Sequence, residues 1–310
     1  MRKSQRRDRT PASEAFPGLT LCTLQRDGAH SLGVRTRRGV LDVKRSAAAL
    51  HVRAPADVHE AIEGRHADGL RRLVAAAEAG KRVVLLDEDE VAFGPCVTRP
   101  EKIIMMGFNY RRHCAETKAP IPTSPVFFNK YANALLGHGG TIRLPVKVAT
   151  QFDHEAELVV VIGRTARDVS PAEAPAFVFG YCVGNDFSAR DLQFKTSQFM
   201  LGKTCDGFAP IGPWLVGSDQ VGDPQDLAIE CRVNGEVRQS SRTSDMVFSC
   251  AELVSYASRH MTLRPGDVIF TGTPEGVVVG KPEAERVWLK AGDVVATRID
   301  KLGELRFSLA

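Results

Sequence analysis

The regular pattern of the chain begins near Thr20, where short runs of apolar and polar residues alternate. Glycine turn signals at 27–28 and 38–39 separate these runs, so the pattern predicts a small antiparallel meander. Apolar residues then recur with helical spacing over 56–63 and 68–79, and a glycine follows the second stretch as a typical C-cap. We therefore expect two helices after the meander.

A further strand is predicted at Val83–Leu86, and the stretch ending at Pro100 has the composition of a linker. Together these elements predict a small α/β domain over residues 17–100. Residues 1–16 show little pattern and several basic side chains, and we expect them to form a disordered tail.

The remaining residues, 101–310, consist mainly of short predicted strands separated by glycine and proline. One helix is predicted at Cys250–His260, with Ser249 as its N-cap. Short strands without regular helices between them favour a mixed β-roll or barrel over a doubly wound parallel sheet, which makes the whole chain α+β. The predicted strands are Lys102–Met106, Val126–Asn129, Ala156–Ile162, Phe179–Asn185, Ile229–Asn234, Val268–Thr271 and Val294–Arg298.

Composition narrows the class of partner. The net charge is only +4, and its basic residues concentrate near the N-terminus without interleaved aromatics, which argues against nucleic acid. Seven cysteines without a CxxC pair favour free thiols over disulfides or a zinc site. The chain has neither the apolar segment of a secretory signal nor the roughly 20 apolar residues of a membrane span. We expect a cytoplasmic protein that binds a small molecule.

Two glutamates at the start of an apolar run carry the densest chemical signal. Side chains two apart on a strand share a face, so Glu155 and Glu157 point the same way. A solvent-exposed strand end explains such a pair more often than a ligand does. Asp186 ends a second apolar strand in the same manner, and three such carboxylates suit a hard cation such as Mg²⁺, Mn²⁺ or Ca²⁺. The pattern alone leaves the metal site and the exposed strand end equally supported.

A histidine and a glutamate three apart form a second candidate group. One helical turn brings His113 and Glu116 to the same face, where the carboxylate would fix the imidazole tautomer and raise its basicity for activating water. This spacing alone is a weak motif, and an exposed helix turn is its more common explanation. Nearby glycine and proline residues indicate a loop able to order over a ligand.

Two cationic residues follow Asp186 in the chain. Arg190 could clamp a substrate carboxylate through its planar guanidinium, and Lys203 could neutralise a developing enolate. Surface charge in a long loop is the alternative, and it is stronger for Arg190. The turn at 272–276 offers backbone N–H groups and Thr273 to an anion.

Taken in order, the motifs resemble the fumarylacetoacetate hydrolase superfamily over residues 102–310. The resemblance favours the metal site, and it implies a mixed β-roll catalytic domain, usually in a homodimer, after a small and variable N-terminal domain. The matching segments are GFNYRRHCAE, SPVFFNKY, DHEAELVVVIG, GYCVGNDFSARDLQ, LGKTCDGFAPIGPW, VNGEVRQSSRTSDMVF and RPGDVIFTGTPEGV.

The resemblance also implies a role for individual residues. Tyr131 and Val278 depart from it, since many relatives have proline and glycine there, and both residues flank the expected pocket. The matching positions are Glu155, Glu157 and Asp186 for the metal ligands, His113 and Glu116 for a His–Glu dyad on a lid, Lys203 for the active-site lysine, and Arg190, Gln193 and Thr273 for substrate contacts.

The activity expected from these residues is hydrolysis of a C–C bond in a 2,4-dioxo acid of the acylpyruvate type, with Mg²⁺ or Mn²⁺ as cofactor. His113 would activate water, and Lys203 would stabilise the pyruvate enolate that leaves. Decarboxylation of oxaloacetate and isomerisation or dehydration of related 2-oxo acids share this enolate, so the motifs fit them too. A metal-binding family member without turnover is a further alternative, which the intact ligands, dyad and lysine argue against.

Overall fold

The computed structural model describes residues 18–310, so the predicted disordered tail at 1–16 lies outside the described residues. The helices are α1 (Val43–Leu50), α2 (Val58–Ile62), α3 (Ala67–Glu78), α4 (Arg111–Glu116), α5 (Arg190–Gln193), α6 (Met200–Lys203), α7 (Ser218–Val221) and α8 (Cys250–His260). The strands are β1 (Thr20–Arg26), β2 (Ala29–Thr36), β3 (Gly39–Asp42), β4 (Leu85–Leu86), β5 (Ile103–Gly107), β6 (Val126–Lys130), β7 (Leu135–Leu136), β8 (Thr141–Ile142), β9 (Phe152–Asp153), β10 (Ala156–Ile162), β11 (Val178–Asn185), β12 (Ser188–Ala189), β13 (Ala209–Pro210), β14 (Leu215–Gly217), β15 (Ala228–Val233), β16 (Glu236–Arg242), β17 (Val268–Phe270), β18 (Val294–Ile299) and β19 (Gly303–Leu309).

Two open sheets organise the fold. The large sheet has ten strands in the order β4-β3-β2-β1-β14-β11-β10-β17-β5-β6, and the small sheet has five in the order β16-β15-β18-β19-β8. The predicted α+β class with a mixed β-roll is confirmed. Neither sheet closes on itself, so the barrel alternative is not found among residues 18–310.

The large sheet crosses the boundary predicted near residue 100. Strand β1 pairs antiparallel with β14, with Thr20 opposite Val216, and this pairing joins the N-terminal meander to the strands of the C-terminal part. Leu70 and Leu73 of α3 pack in the same hydrophobic cluster as Val159 of β10. The N-terminal elements therefore extend and cover the sheet that carries the candidate site.

Strand β10 is buried along its whole length, which explains why every residue after Glu157 in it is apolar. Its even-numbered residues pack in the core that includes the small sheet, whereas Val159 and Val161 pack in the core beneath the N-terminal helices. Strands β10 and β11 pair antiparallel, with Ala156 opposite Asn185. The residues just before Ala156 and just after Asn185 consequently leave the sheet side by side.

Helix α8 begins and ends where the sequence predicts it. Its N-cap Ser249 accepts a hydrogen bond from the backbone N–H of Glu252, and the Glu252 side chain accepts one from the backbone N–H of Ser249. This capping box satisfies two of the N–H groups that a helix start leaves without intrahelical partners. The two helices predicted at 56–63 and 68–79 are found as α2 and α3.

Candidate active site

Three carboxylates converge where β10 and β11 leave the sheet. Glu155 precedes β10, Glu157 is its second residue and Asp186 follows β11, and we refer to them as the carboxylate trio. One oxygen from each lies within 4.8 Å of the others, and all three residues are buried. The register causes this convergence, since the N–H of Asp186 donates to the carbonyl of Glu155 at 2.9 Å. The exposed strand end is therefore the wrong interpretation of these glutamates.

Two buried lysines offset part of this charge. Lys203 Nζ lies 2.8 Å from Glu155 Oε2 and 2.7 Å from Asp186 Oδ2. Lys130 Nζ lies 2.6 Å from Asp186 Oδ1 and donates to two backbone carbonyls. Burial lowers the pKa of Lys130, although the negative charge of Asp186 opposes that shift. Asp186 is thus held between two ammonium groups.

Arg190 occupies the other side of Glu155. Its Nη2 lies 2.6 Å from Glu155 Oε1 and 2.9 Å from Asp153 Oδ2, and its Nη1 donates to Gln193 Oε1 at 2.8 Å. Burial opposes ionisation of Glu155, but the charges of Arg190 and Lys203 hold the pKa of its carboxyl well below the usual range. Arg190 is only 3% exposed, so the surface-loop interpretation is wrong for it.

Within the carboxylate trio, Glu157 is the member that makes no ion pair with any residue of 18–310. Its Oε2 accepts the N–H of Gly272 at 2.8 Å, whereas its buried Oε1 has no hydrogen-bond partner there. Burial, together with the charges of Asp186 and Glu155, raises the pKa of Glu157 well above its usual value. A cation held by the carboxylate trio would satisfy that oxygen and relieve the repulsion. An all-carboxylate donor set fits Mg²⁺ or Mn²⁺.

The dyad residues lie on helix α4. His113 Nδ1 is 3.4 Å from Glu116 Oε2, and Glu116 Oε1 accepts the N–H of Gly276 at 2.9 Å. Gly280 packs so closely that a Cβ there would lie 2.3 Å from Glu116 Cδ. His113 is 7% exposed, which the exposed helix turn does not explain. The 276–280 stretch therefore holds the dyad carboxylate in place.

Most of the polar groups of the turn at 272–276 form hydrogen bonds within the protein. The N–H groups of its first and last glycines donate to the carboxylates of Glu157 and Glu116. Thr273 Oγ1 donates to a backbone carbonyl of β10 at 2.9 Å and accepts from Gln239 Nε2 at 2.8 Å. The anions that these two N–H groups bind are thus side chains of the site, and a substrate contact by Thr273 stays a prediction.

A cavity of about 630 Å³ opens beside these residues. Glu155 is the member of the trio that lines the cavity. Glu157 and Asp186 do not line it, but each has an oxygen within 4.8 Å of one of Glu155. Aromatic rings form much of the wall, which gives the polar groups a partly apolar surrounding: Phe108, Phe128, Phe194 and Phe199. The predicted site residues that line the cavity are His113, Glu116, Glu155, Arg190, Gln193, Lys203 and Thr273.

Several residues that position the site are not among those predicted from the sequence. Asp153 continues the period-two spacing of Glu155 and Glu157, and that spacing is the signal that could have identified it. Lys130 ends an apolar strand, where a lysine is uncommon. Gln239 carries no comparable signal, because it lies in the polar sequence of β16.

Comparison with known proteins gives the family. The model of the fumarylacetoacetate (FAA) hydrolase C-terminal family matches residues 102–310, the stretch over which the motifs resemble that superfamily. The chain belongs to the fumarylacetoacetate hydrolase family, and it is an enzyme of that family. The resemblance inferred from the motifs is thereby confirmed.

Two curated relatives are animal proteins. The Xenopus laevis protein named oxaloacetate tautomerase fahd2, mitochondrial, is 46% identical over 224 residues, which cover 71% of this chain and 69% of that protein. Human oxaloacetate tautomerase FAHD2A, mitochondrial, is 44% identical over 233 residues, which cover 74% and 73%. Their names place those proteins in mitochondria, and a cytoplasmic location of this chain stays a prediction. No helix within residues 18–310 is long and apolar enough to cross a membrane.

Solved bacterial structures share the fold over nearly the whole chain. Fumarylacetoacetate hydrolase from Exiguobacterium antarcticum superposes with a TM-score of 0.77 at 32% identity, covering 94% of this chain and 99% of that one. Maleylpyruvate hydrolase from Sphingobium sp. SYK-6 gives a TM-score of 0.75 at 29% identity, with the same coverage of both chains. The fold inferred from the family resemblance is confirmed.

Proposed function

We propose that the chain is a divalent-metal-dependent enzyme that interconverts the keto and enol forms of oxaloacetate or a closely related 2-oxo acid. The observation that carries this proposal is the buried carboxylate trio, with Arg190 and Lys203 paired to Glu155 beside the cavity. Such a site suits an anionic, oxygen-rich substrate that forms an enolate. Relatives named oxaloacetate tautomerase, at 44% and 46% identity, support both the substrate and the reaction.

The carboxylate trio would hold Mg²⁺ or Mn²⁺, which when bound supplies Lewis-acid polarisation of a 2-oxo group. Arg190, kept in place by Asp153 and Glu155, would bind the substrate carboxylate through its guanidinium. The Lys203 ammonium, fixed by two carboxylates, would stabilise the negative charge that develops on the enolate oxygen.

His113 is the group that would move the proton. Interconversion shifts one proton between C3 of the substrate and the oxygen on C2. Glu116 lies beside Nδ1 of His113, which favours a proton on Nδ1 and leaves Nε2 as the base. In the keto-to-enol direction, Nε2 takes a proton from C3 as the C2–C3 double bond forms, and the C2 oxygen takes a proton from solvent. The imidazolium then releases its proton to solvent, which restores the base and balances the proton taken up by the C2 oxygen. In the reverse direction the imidazolium gives a proton to C3 while the enol oxygen releases its proton to solvent.

Hydrolytic cleavage of a 2,4-dioxo acid is the second candidate. It is favoured by the cavity volume of about 630 Å³, which exceeds the need of a four-carbon acid and leaves room for an acyl group. Here His113 would draw a proton from the water that attacks the distal carbonyl, and a pyruvate enolate would leave. Decarboxylation of oxaloacetate yields the same enolate without a water, so product analysis is needed to separate the reactions.

One panel of assays tests the proposal. Protein with Mg²⁺ or Mn²⁺ is given oxaloacetate and acetylpyruvate, and enol–keto conversion, CO₂ release and cleavage are each followed. We expect enol–keto conversion well above the spontaneous rate, abolished by EDTA and restored by metal. Conversion at the spontaneous rate with rapid acetylpyruvate cleavage would replace the proposal with the hydrolase. No activity on any substrate would favour a metal-binding protein without turnover.

We also propose that the chain acts as a homodimer. Support comes from the homodimer that the family resemblance implies, and a partner subunit could cover apolar side chains that stay exposed in the single chain: Val146 at 66%, Val148 at 62% and Val287 at 70%. Light scattering tests the proposal, because a dimer doubles the chain mass of 33.8 kDa.

A further inference from the structure

Three cationic side chains lining the cavity lack acidic partners. Lys118, Lys281 and Arg286 are half-buried or exposed, unlike the deeply buried Arg190 and Lys203, and we call them the outer cations. Within residues 18–310 none of the outer cations lies within 4.0 Å of a carboxylate, whereas Arg190 and Lys203 are each paired with two. Glu155 and Glu116 also line the cavity, but Glu155 is neutralised by its ion pairs, and the three outer cations outnumber Glu116 and attract an anion.

Arg286 is the outer cation best arranged for a specific contact. Its Nε donates to the carbonyl of Lys281 at 2.9 Å, which orients the guanidinium. Its two Nη groups make no protein hydrogen bond in the described part of the chain. The segment is tied to the site, because Asp153 accepts the N–H groups of Val278 and Val279 at 2.8 and 3.0 Å. An oriented guanidinium with both Nη groups available suits bidentate binding of a carboxylate.

Charge balance favours a substrate with more than one negative charge. Counted with Glu116, the inner site holds two more carboxylates than cationic side chains, and a bound divalent ion would balance that surplus. The three outer cations then remain to balance the negative charges of the substrate. The inner groups counted are Asp153, Glu155, Glu157, Asp186 and Glu116 against Lys130, Arg190 and Lys203.

We propose that Arg286, assisted by Lys281, binds the second carboxylate of the substrate and so selects 2-oxo dicarboxylates, the class that includes oxaloacetate, over 2-oxo monocarboxylates. The inference rests on the proposed function, since it takes the 2-oxo acid end to lie at the carboxylate trio. The second carboxylate then lies at the outer cations. Arg286 and Lys281 thereby select the substrate by charge.

Binding of matched pairs of non-cleaved acids tests this selection without requiring turnover. The pairs are 2-oxoglutarate with 2-oxopentanoate and 2-oxoadipate with 2-oxohexanoate, titrated by calorimetry in the presence of Mg²⁺. We expect the full-length protein to bind at least one dicarboxylate about tenfold or more tightly than its partner, the usual scale of a charge-assisted contact. Arg286→Gln should reduce that preference to about threefold or less, leave the monocarboxylate Kd unchanged, and be partly rescued by Arg286→Lys.

Arg143→Gln is the matched control, because Arg143 is exposed and outside the cavity lining, and it should bind like the unmodified protein. Equal binding within both pairs, or a preference that survives Arg286→Gln, overturns the inference. The proposed function can fail independently of the inference. If the protein prefers dicarboxylates but does not turn over oxaloacetate, the proposed reaction is wrong and the carboxylate subsite stands. Oxaloacetate turnover without that preference removes only the subsite.

Discussion

Asp153 and Arg190 form a buried ion pair, with Arg190 Nη2 2.9 Å from Asp153 Oδ2. The same Nη2 lies 2.6 Å from Glu155 Oε1, so Arg190 connects Asp153 to the carboxylate trio. Asp153 also accepts backbone N–H groups from the segment that begins at Val278 and continues to Arg286. One carboxylate thus fixes the orientation of the inner guanidinium and anchors the segment that bears the outer one.

The change Asp153→Asn should raise the KM for the substrate. The amide keeps the shape of the side chain but removes the charge that holds Arg190 against the pull of Glu155. A hydrogen bond to a charged group contributes about 1.5–3 kcal/mol, which corresponds to an increase in KM of about 10–100-fold. Steady-state kinetics on oxaloacetate with saturating metal measure the change.

Asp293→Asn is the control for this variant. Asp293 is also buried and accepts a backbone N–H, that of Lys290 at 2.8 Å, but it does not line the cavity. Its KM should match that of the unmodified protein. A normal KM in a well-folded Asp153→Asn protein would show that Arg190 binds substrate without help from Asp153.

Lys130→Met should strongly destabilise the fold. The Lys130 ammonium contacts Asp186 at 2.6 Å and donates to two backbone carbonyls in the interior. Removing one partner of a buried ion pair typically costs about 3–5 kcal/mol. Urea denaturation should show a loss of unfolding free energy on this scale, whereas Lys147→Met, at an exposed position, should show almost none. A fully stable Lys130→Met would mean that Lys203 alone can compensate Asp186.

Glu157→Gln should stabilise the metal-free protein and weaken its response to metal. In the unmodified chain, Glu157 Oε1 is buried without a partner near two other carboxylates, and a neutral amide removes that repulsion. A ligand at 100 times its Kd stabilises a protein by about 2.7 kcal/mol, so Mn²⁺ should raise the Tm of the unmodified protein. It should raise the Tm of the variant much less.

Glu236→Gln provides the comparison, since Glu236 has a 70% exposed side chain and should leave the response to Mn²⁺ intact. Thermal melts with Mn²⁺ and with EDTA give both effects in one experiment. If neither Mn²⁺ nor Mg²⁺ changes the Tm of the unmodified protein, the result contradicts a metal site at the carboxylate trio.

Sequence patterns predict the core strands better than the edges. Burial on both faces favours a continuous apolar run such as residues 158–162, and β10 is found at Ala156–Ile162, the bounds predicted from the sequence. Strand β16 lies at the edge of the small sheet and reads EVRQSSR, a polar stretch that gives no strand signal. The pairing of β1 with β14, in which Thr20 lies opposite Val216, cannot be predicted from a local pattern either, because the two strands are distant in sequence.

The residues of the candidate site also divide into those marked by a local sequence pattern and those that depend on tertiary contacts. The sequence pattern identifies Glu155, Glu157 and Asp186 as candidates because each lies at or next to an end of an apolar run, where a charge is uncommon, but only the family resemblance favours a metal site over an exposed strand end. Lys130 and Gln239 take their roles from tertiary contacts, with Asp186 and with Thr273, that no spacing along the chain encodes. Their neighbours in space, and not their neighbours in sequence, determine what they do.

Gly280→Ala should lower activity by displacing Glu116. The added Cβ would lie 2.3 Å from Glu116 Cδ, and the flexible glutamate side chain is the group that can move. Glu116 would then lose its position 3.4 Å from His113 Nδ1 and its hydrogen bond from Gly276. General-base catalysis typically contributes about 10²–10⁴-fold, so a misoriented base should reduce kcat by roughly 10–100-fold with a nearly unchanged Tm.

A double-mutant cycle shows whether the methyl group acts through Glu116. If it does, combining Gly280→Ala with Glu116→Gln should lower kcat no further than the more severe single change, because both remove the same interaction. Gly107→Ala is the matched control, since Gly107 lines the same cavity but its added Cβ would approach no atom closer than 3.7 Å. Additive losses in the double variant would mean that the methyl group acts by changing the shape of the cavity. The position of Glu116 would then not depend on close packing against Gly280.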